Sequence, residues 1–77
     1  MSRRLPALDA RDVLKALHRA GFFVARSSGS HQYLIHEDDP SRRVVVPVHG
    51  GRDLPRGLLR AIVRQSGLSV EEFIDLL

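Results

Sequence analysis

The sequence contains no cysteine. This absence excludes a disulfide framework, a cysteine-ligated zinc site and a thiol nucleophile, and it is compatible with a reducing compartment. A long apolar run is also missing, since the basic start Arg3-Arg4 is not followed by one. That argues against a signal peptide or a membrane anchor. We therefore expect a cytoplasmic protein that does not enter a membrane.

Length is a further limit, because the chain has 77 residues. Chains of this size bury only roughly 60 to 65% of the surface that they expose when unfolded, which leaves room for one thin, two-layer core. We expect a single domain over residues 1–77 without a deep substrate pocket. No internal repeat, linker or low-complexity segment interrupts it.

Lysine is nearly absent, and the positive charge is carried by arginine. Lys15 is the single lysine among twelve basic residues, and residues 1–68 hold all twelve of them against six acidic residues, a net charge of +6. An excess of this kind favours a polyanionic partner, and the planar guanidinium suits phosphate. Charge alone indicates contact with nucleic acid, and it says nothing about catalysis.

A first helix is predicted over residues 10–20. Asp9 is a suitable N-cap, and Val13 and Leu17 belong to an apolar stripe at helical spacing. Gly21 follows as the residue that commonly ends such a helix.

Two more helices are predicted after the middle of the chain. Asp53 is expected to cap the second, over residues 55–66, with a proline in its first turn and a glycine after its end. The pattern from Ser69 to Glu72 is a capping box and predicts a short final helix.

Three strands are predicted between the first two helices, over residues 22–27, 31–36 and 43–48. The first is rich in aromatic and β-branched residues, and turns over residues 27–30 and 37–42 separate the three. The element order is α-β-β-β-α-α, so the fold class is α+β with an antiparallel three-stranded meander.

Alternation assigns the side chains of the second strand to two faces. His31, Tyr33 and Ile35 share one face, and Leu34 lies on the other with Gln32 and His36. Both faces contain apolar residues. Alternation therefore leaves open which face the helices cover.

The stretch Ser28-Gly29-Ser30-His31 is the strongest candidate for chemistry. It places an imidazole directly after a tight turn and at the start of an apolar strand. Histidine has an unperturbed pKa of about 6.5 and exchanges protons near neutrality. The alternative is a strand histidine that donates to a neighbouring carbonyl.

Several of the remaining candidates keep more than one interpretation. His49 is a phosphate contact or a loop residue, or a second proton-transfer group, whereas His18 and His36 are expected to be solvated. Tyr33 stacks on an unpaired base or packs against Phe23. The arginines spaced by four on the second predicted helix bind a partner or face solvent; they are Arg56, Arg60 and Arg64. The histidine spacings match no zinc pattern.

These motifs together resemble the HicA-type mRNA interferase toxins of bacterial toxin-antitoxin systems, also described as YcfA-like. The similarity runs over nearly the whole chain. The segments that carry it are Gly21-Phe22-Phe23, Gly29-Ser30-His31, Val44-Val45-Val46-Pro47-Val48-His49-Gly50 and Leu54-Pro55-Arg56-Gly57-Leu58.

The resemblance implies a fold similar to a double-stranded RNA-binding domain, with both long helices on one sheet face and His31 on the other. It implies an endoribonuclease toxin that cleaves mRNA with His31 as the catalytic residue, needs no metal or cofactor, and is neutralised by a HicB-type antitoxin. The alternative is a non-catalytic RNA-binding module. The residues expected to contact RNA are Arg26, Gly29, Ser30, Tyr33, Arg42, Arg43, His49 and Arg52.

Overall fold

The computed structural model describes residues 3–77. Its elements in chain order are α1 (Ala10–Arg19), β1 (Phe22–Ser28), β2 (His31–His36), β3 (Arg43–Pro47), α2 (Arg56–Ser66) and α3 (Val70–Asp75). Across this described range, none of the helices has both the length and the apolar character needed to span a bilayer.

The three strands form one antiparallel sheet in the order β1-β2-β3. α1 packs on β1 and β3, and α2 packs on β3, so both long helices cover the same face. A single apolar cluster fills the space between the layers. Its most completely buried members are Val13, Ala16, Leu17, Phe22, Val44, Val46, Leu59, Ile62 and Phe73.

The predicted α+β class and element order are confirmed, and the strand and helix boundaries differ from the prediction by one residue or so. The predicted cap of α2 is wrong. Asp53 forms an isolated antiparallel bridge with Asp9, and Leu54 N–H donates to Leu8 O at 2.8 Å, so the chain is still extended there. Pro55 occupies the N-cap position without a side-chain cap.

The predicted capping box of α3 is confirmed. The Ser69 hydroxyl accepts from Glu72 N–H at 3.0 Å, and the Glu72 carboxylate accepts from Ser69 N–H at 2.9 Å. These bonds lower the pKa of Glu72. Because the folded-state pKa lies below the unfolded one, this interaction stabilises the fold at neutral pH, and the stabilisation is lost as the pH falls through the folded-state pKa.

His36 is not the solvated residue that its place at a strand end predicts. It is 8% exposed, and its ring meets the Phe22 ring edge-on at 5.1 Å between centroids. Nδ1 accepts from Asp38 N–H at 3.1 Å, so Nε2 carries the hydrogen and donates to Ala20 O at 2.9 Å. The ring therefore ties the end of α1 to the end of β2.

Gly21 makes that arrangement possible. It has φ of 98°, and a Cβ at this position would lie 3.0 Å from His36 Nε2. The His36 ring cannot move away from such a Cβ without breaking its two hydrogen bonds. A side chain here would therefore meet both backbone strain and a clash.

We expect Gly21→Ala to lower the free energy of unfolding by about 3 kcal/mol, combining a positive-φ penalty of roughly 1–2 kcal/mol with overpacking of roughly 1–3 kcal/mol. Urea denaturation measures the loss. Gly29→Ala is the control, because Gly29 also has positive φ, 57°, but nothing lies within 4 Å of the added Cβ. Equal losses in the two variants would show that the clash with His36 contributes nothing.

Candidate functional site

A β-bulge in β1 turns an arginine toward the sheet face that the helices leave uncovered. Val24 pairs with Leu34, and the next pair is Arg26 with Tyr33. Ala25 is therefore an extra residue in β1. Without it, strict alternation would place Arg26 on the same side as Val24, toward the helices. The bulge is what gives Arg26 and Tyr33 a common face.

We call the uncovered side of the sheet the open face. Its rows, read across β1, β2 and β3, are Ser28, His31 and Pro47; then Arg26, Tyr33 and Val45; then Phe23, Ile35 and Arg43. The rows include two arginines and no carboxylate. The open face is therefore positively charged, which suits an anionic ligand.

A two-residue turn sets the position of His31. Ser28 and His31 are the last pair of the β1–β2 ladder, so Gly29 and Ser30 form the loop. Gly29 has positive φ, and no non-glycine residue between 3 and 77 does, which is the pattern of a type II′ hairpin with glycine first. Ser30 O accepts from Val48 N–H at 2.7 Å, which attaches the turn to the end of β3.

His31, Tyr33 and Arg26 form a continuous group on the open face. The His31 and Tyr33 ring centroids are 6.5 Å apart with an angle of 36° between the planes. The Arg26 guanidinium carbon lies 4.3 Å from the Tyr33 centroid, in a cation–π contact. His31 and Arg26 are exposed, and Tyr33 is half-buried. Tyr33 contacts these two side chains, whereas Phe23 stands one row away and is 47% exposed.

The two adjacent arginines of the predicted RNA-contact set lie on opposite sides of the sheet. Arg43 is exposed at the edge of the open face, and its Nε donates to Pro40 O at 3.0 Å. Arg42 turns toward the helices, where its Nε donates to Ser66 O at 2.8 Å and its guanidinium lies 5.4 Å from the Phe22 ring centroid. Arg42 thus has a structural contact that the sequence did not predict.

His49 and Arg52 lie in the loop between β3 and α2. Both are exposed, and Arg52 N–H donates to His49 O at 3.3 Å. With Pro47 they line part of a shallow hollow of about 290 Å³. Pro47 is the strand neighbour of His31, so this hollow adjoins the row that holds His31.

The other histidine and arginine candidates lie apart from this group. His18 is exposed on α1, as predicted. Arg60 and Arg64 are exposed on α2, whereas Arg56 donates to Leu5 O at 2.8 Å. No cluster of three or more His, Asp or Glu residues suited to a metal ion occurs between residues 3 and 77.

Sequence reasoning did not identify Ser28 as a neighbour of His31. The turn itself indicated this neighbour, because the two residues that flank a two-residue hairpin loop pair with each other across the two strands. The prediction gave the turn four residues and ended the strand at residue 27, which removed Ser28 from the ladder. Ser28 is exposed and is the strand partner of His31 on the open face.

The fold and the open face define the class of protein. A helix, three antiparallel strands and a second helix on one sheet face form a small α+β domain similar to a double-stranded RNA-binding domain. The family model of the HicA toxin of bacterial toxin-antitoxin matches residues 10–68. The chain therefore belongs to the HicA toxin family, whose members are generally ribonuclease toxins paired with an antitoxin. No curated protein matches the chain.

The opposite placement of Arg42 and Arg43 yields a prediction. Arg42→Ala should lower the free energy of unfolding by about 1–2 kcal/mol, because it removes a half-buried, charged hydrogen bond to Ser66 O. Arg43→Ala should change it by about 0.5 kcal/mol or less, as for most exposed positions. Chemical denaturation of both variants measures the difference.

RNA affinity is the second quantity to measure for Arg42→Ala and Arg43→Ala. The sequence predicts Arg43 as an RNA contact, and on that prediction Arg43→Ala should weaken RNA binding and reduce its salt dependence, since the loss of a phosphate contact means that fewer counterions are released. A stability loss in Arg43→Ala that equals the loss in Arg42→Ala would contradict the division of roles.

Proposed function

We propose that this protein is an endoribonuclease toxin that cleaves messenger RNA without a metal ion, and that His31 is its catalytic base. The observation that carries the proposal is the exposed His31 ring on a positively charged sheet face, beside Tyr33 and Arg26. Membership of the HicA family supports an mRNA interferase role in a toxin-antitoxin system.

The proposed reaction uses the RNA as its own nucleophile. The neutral His31 imidazole takes the proton from a ribose 2′-hydroxyl, and O2′ then attacks the adjacent phosphorus. The P–O5′ bond breaks as the new P–O2′ bond forms, and O5′ leaves with a proton from the solvent or from an acid group. The products are a 2′,3′-cyclic phosphate and a 5′-hydroxyl end. A metal ion is not needed to generate the nucleophile.

The neighbours of His31 have binding roles in this proposal. Arg26 holds the phosphate next to the reacting ribose, since a guanidinium binds phosphate oxygens through two N–H groups. Tyr33 lies under Arg26, and a base stacks on its ring when Arg26 moves to the phosphate. The Gly29-Ser30 turn has no side chain pressing on it at Gly29, so the RNA backbone can approach closely.

The outer contacts extend the RNA path on both sides of this centre. Arg43 binds a phosphate at one end of the open face, and His49 and Arg52 bind one beside the hollow next to Pro47. Arg42 contributes charge from the far side of the sheet, with its position fixed by Ser66 O.

The cognate antitoxin is the second partner. HicA toxins belong to toxin-antitoxin systems, which implies an antitoxin for this chain. We propose an antitoxin of the HicB type, a cytoplasmic setting, and one toxin domain over residues 1–77. An antitoxin that covers the open face would exclude RNA directly, because His31 and Arg26 are both exposed there.

One observation favours a non-catalytic RNA-binding module as the second candidate. Within residues 3–77 no side chain or backbone group forms a hydrogen bond to the His31 ring. A catalytic histidine commonly has a partner that fixes its tautomer. In this alternative His31 and the arginines bind RNA and do not transfer protons.

Substitution of His31 separates the two candidates. His31→Ala should reduce the RNA cleavage rate by about 10²- to 10⁴-fold, the usual loss when a general acid-base group is removed. RNA affinity should fall only slightly, and the free energy of unfolding should change by about 1 kcal/mol or less because the side chain is exposed. The measurements are single-turnover cleavage, RNA binding and thermal unfolding, with growth arrest in the expression host as the readout of toxicity.

The matched control is His18→Ala, which removes an exposed histidine from α1, on the other side of the sheet. It should cleave at the wild-type rate. A chelator should leave the wild-type rate unchanged, and end analysis of the products should find the cyclic phosphate. The proposal fails if folded His31→Ala cleaves RNA within a few-fold of the wild-type rate, and wild-type binding without cleavage would establish the second candidate.

A further inference from the structure

A groove on the helix side of the sheet has a composition suited to a protein partner. It runs beside α1, is open to solvent, has a volume of about 650 Å³, and has Leu14, Val24 and Val48 as its apolar floor. We call it the α1 groove. Val24 pairs with Leu34, which is buried, so the groove lies on the face opposite His31. Its occupant would not touch the open face from this position.

The apolar floor includes an exposed side chain of the edge strand β1. Val24 is 46% exposed, whereas its strand neighbour Leu34 is 2% exposed. β1 has one neighbouring strand, β2, so the outer edge beside Val24 is free. Leu14 and Val48 are half-buried and pack against the core. Apolar side chains that remain partly exposed together in a concave surface are typical of a binding groove.

The rim of the α1 groove is positively charged. Arg11, Lys15 and Arg19 line it, and the lining contains no carboxylate. The three are spaced by four residues, so they stand on one stripe of α1, where like charges repel one another. Arg19 donates to Leu76 O at 2.6 Å, and none of the three forms a salt bridge with any residue between 3 and 77. Carboxylates from outside would relieve this repulsion.

We infer that the α1 groove is the docking site for an acidic amphipathic segment of the antitoxin. Apolar side chains of that segment cover Leu14, Val24 and Val48, and its carboxylates meet Arg11 and Lys15. Charge complementarity and the apolar floor together favour protein over RNA, because a phosphate backbone gains nothing from three aliphatic side chains. The identity of the partner as the antitoxin rests on the proposed function. This segment then anchors the antitoxin on the helix side of the sheet, and the rest of the antitoxin is free to cover the open face.

A single introduced thiol tests the inference. The chain has no cysteine, so Val24→Cys supplies one reactive group in the groove, and Gln65→Cys supplies a matched group on the exposed side of α2. Both are built on the His31→Ala chain, and their alkylation rates are measured alone, with saturating cognate antitoxin, and with a short single-stranded RNA. We expect the antitoxin to slow alkylation at the groove by tenfold or more and at the control by less than twofold, whereas RNA changes neither rate.

Charge reversal is the second measurement. Arg11→Glu combined with Lys15→Glu should weaken antitoxin binding by tenfold or more and flatten its salt dependence. Arg60→Glu combined with Arg64→Glu makes the same change in net charge on exposed positions of α2 and should weaken binding by less than threefold.

Three results would overturn the inference. They are an unchanged alkylation rate at Val24→Cys with antitoxin present, equal protection of both thiols, and protection of the groove thiol by RNA in place of the antitoxin. Neither the alkylation rates nor the binding affinities depend on RNA cleavage. A negative result for the groove therefore does not contradict the proposed nuclease activity. Likewise, a wild-type chain that cleaves no RNA does not contradict a positive result for the groove.

Discussion

Both long helices pack on the same face of the three-stranded sheet, and this arrangement shapes the whole molecule. The covered face supplies Phe22, Leu34, Val44 and Val46 to the single apolar cluster. Nothing in residues 3–77 forms a second layer on the opposite face, so its side chains stand in water and form a shallow surface. A ligand that binds there gains little from desolvation and much from charge, which suits an extended polyanion better than a small molecule.

Local patterns in the sequence predicted the elements, their order and the face that His31 shares with Tyr33. They did not predict the bulge at Ala25. Alternation assigns every second residue of a strand to the same face. A bulge inserts one residue and so shifts this assignment, and no distinctive residue type marks it in this sequence. The face of Arg26 therefore depends on the pairing of β1 with β2, which the order of side chains in β1 alone does not encode.

The residues whose surroundings the sequence did not predict share a second property. His36 donates to Ala20 O after α1, Arg42 donates to Ser66 O at the end of α2, and Arg19 donates to Leu76 O after α3. The last carbonyls of a helix have no partner within it, and donors there also meet the negative end of the helix dipole. Each bond joins residues far apart in the chain, so a strand-end histidine and a turn arginine look solvated until the fold brings a helix end to them.

The same hydrogen bonds separate the arginines that can attract a ligand only by their charge from those that can also bind it directly. Hydrogen bonding to a carbonyl leaves the charge of Arg42 or Arg56 in place, so both still attract a polyanion over a distance. Their guanidinium orientation is nevertheless fixed by the fold, and a bidentate grip on phosphate needs both N–H groups of one edge. Among residues 3–77, Arg26 contacts the Tyr33 ring and has no hydrogen bond or salt bridge, so its N–H groups are available to a ligand. In the proposed function, long-range attraction thus comes from the whole basic chain, whereas Arg26, next to His31, positions the phosphate.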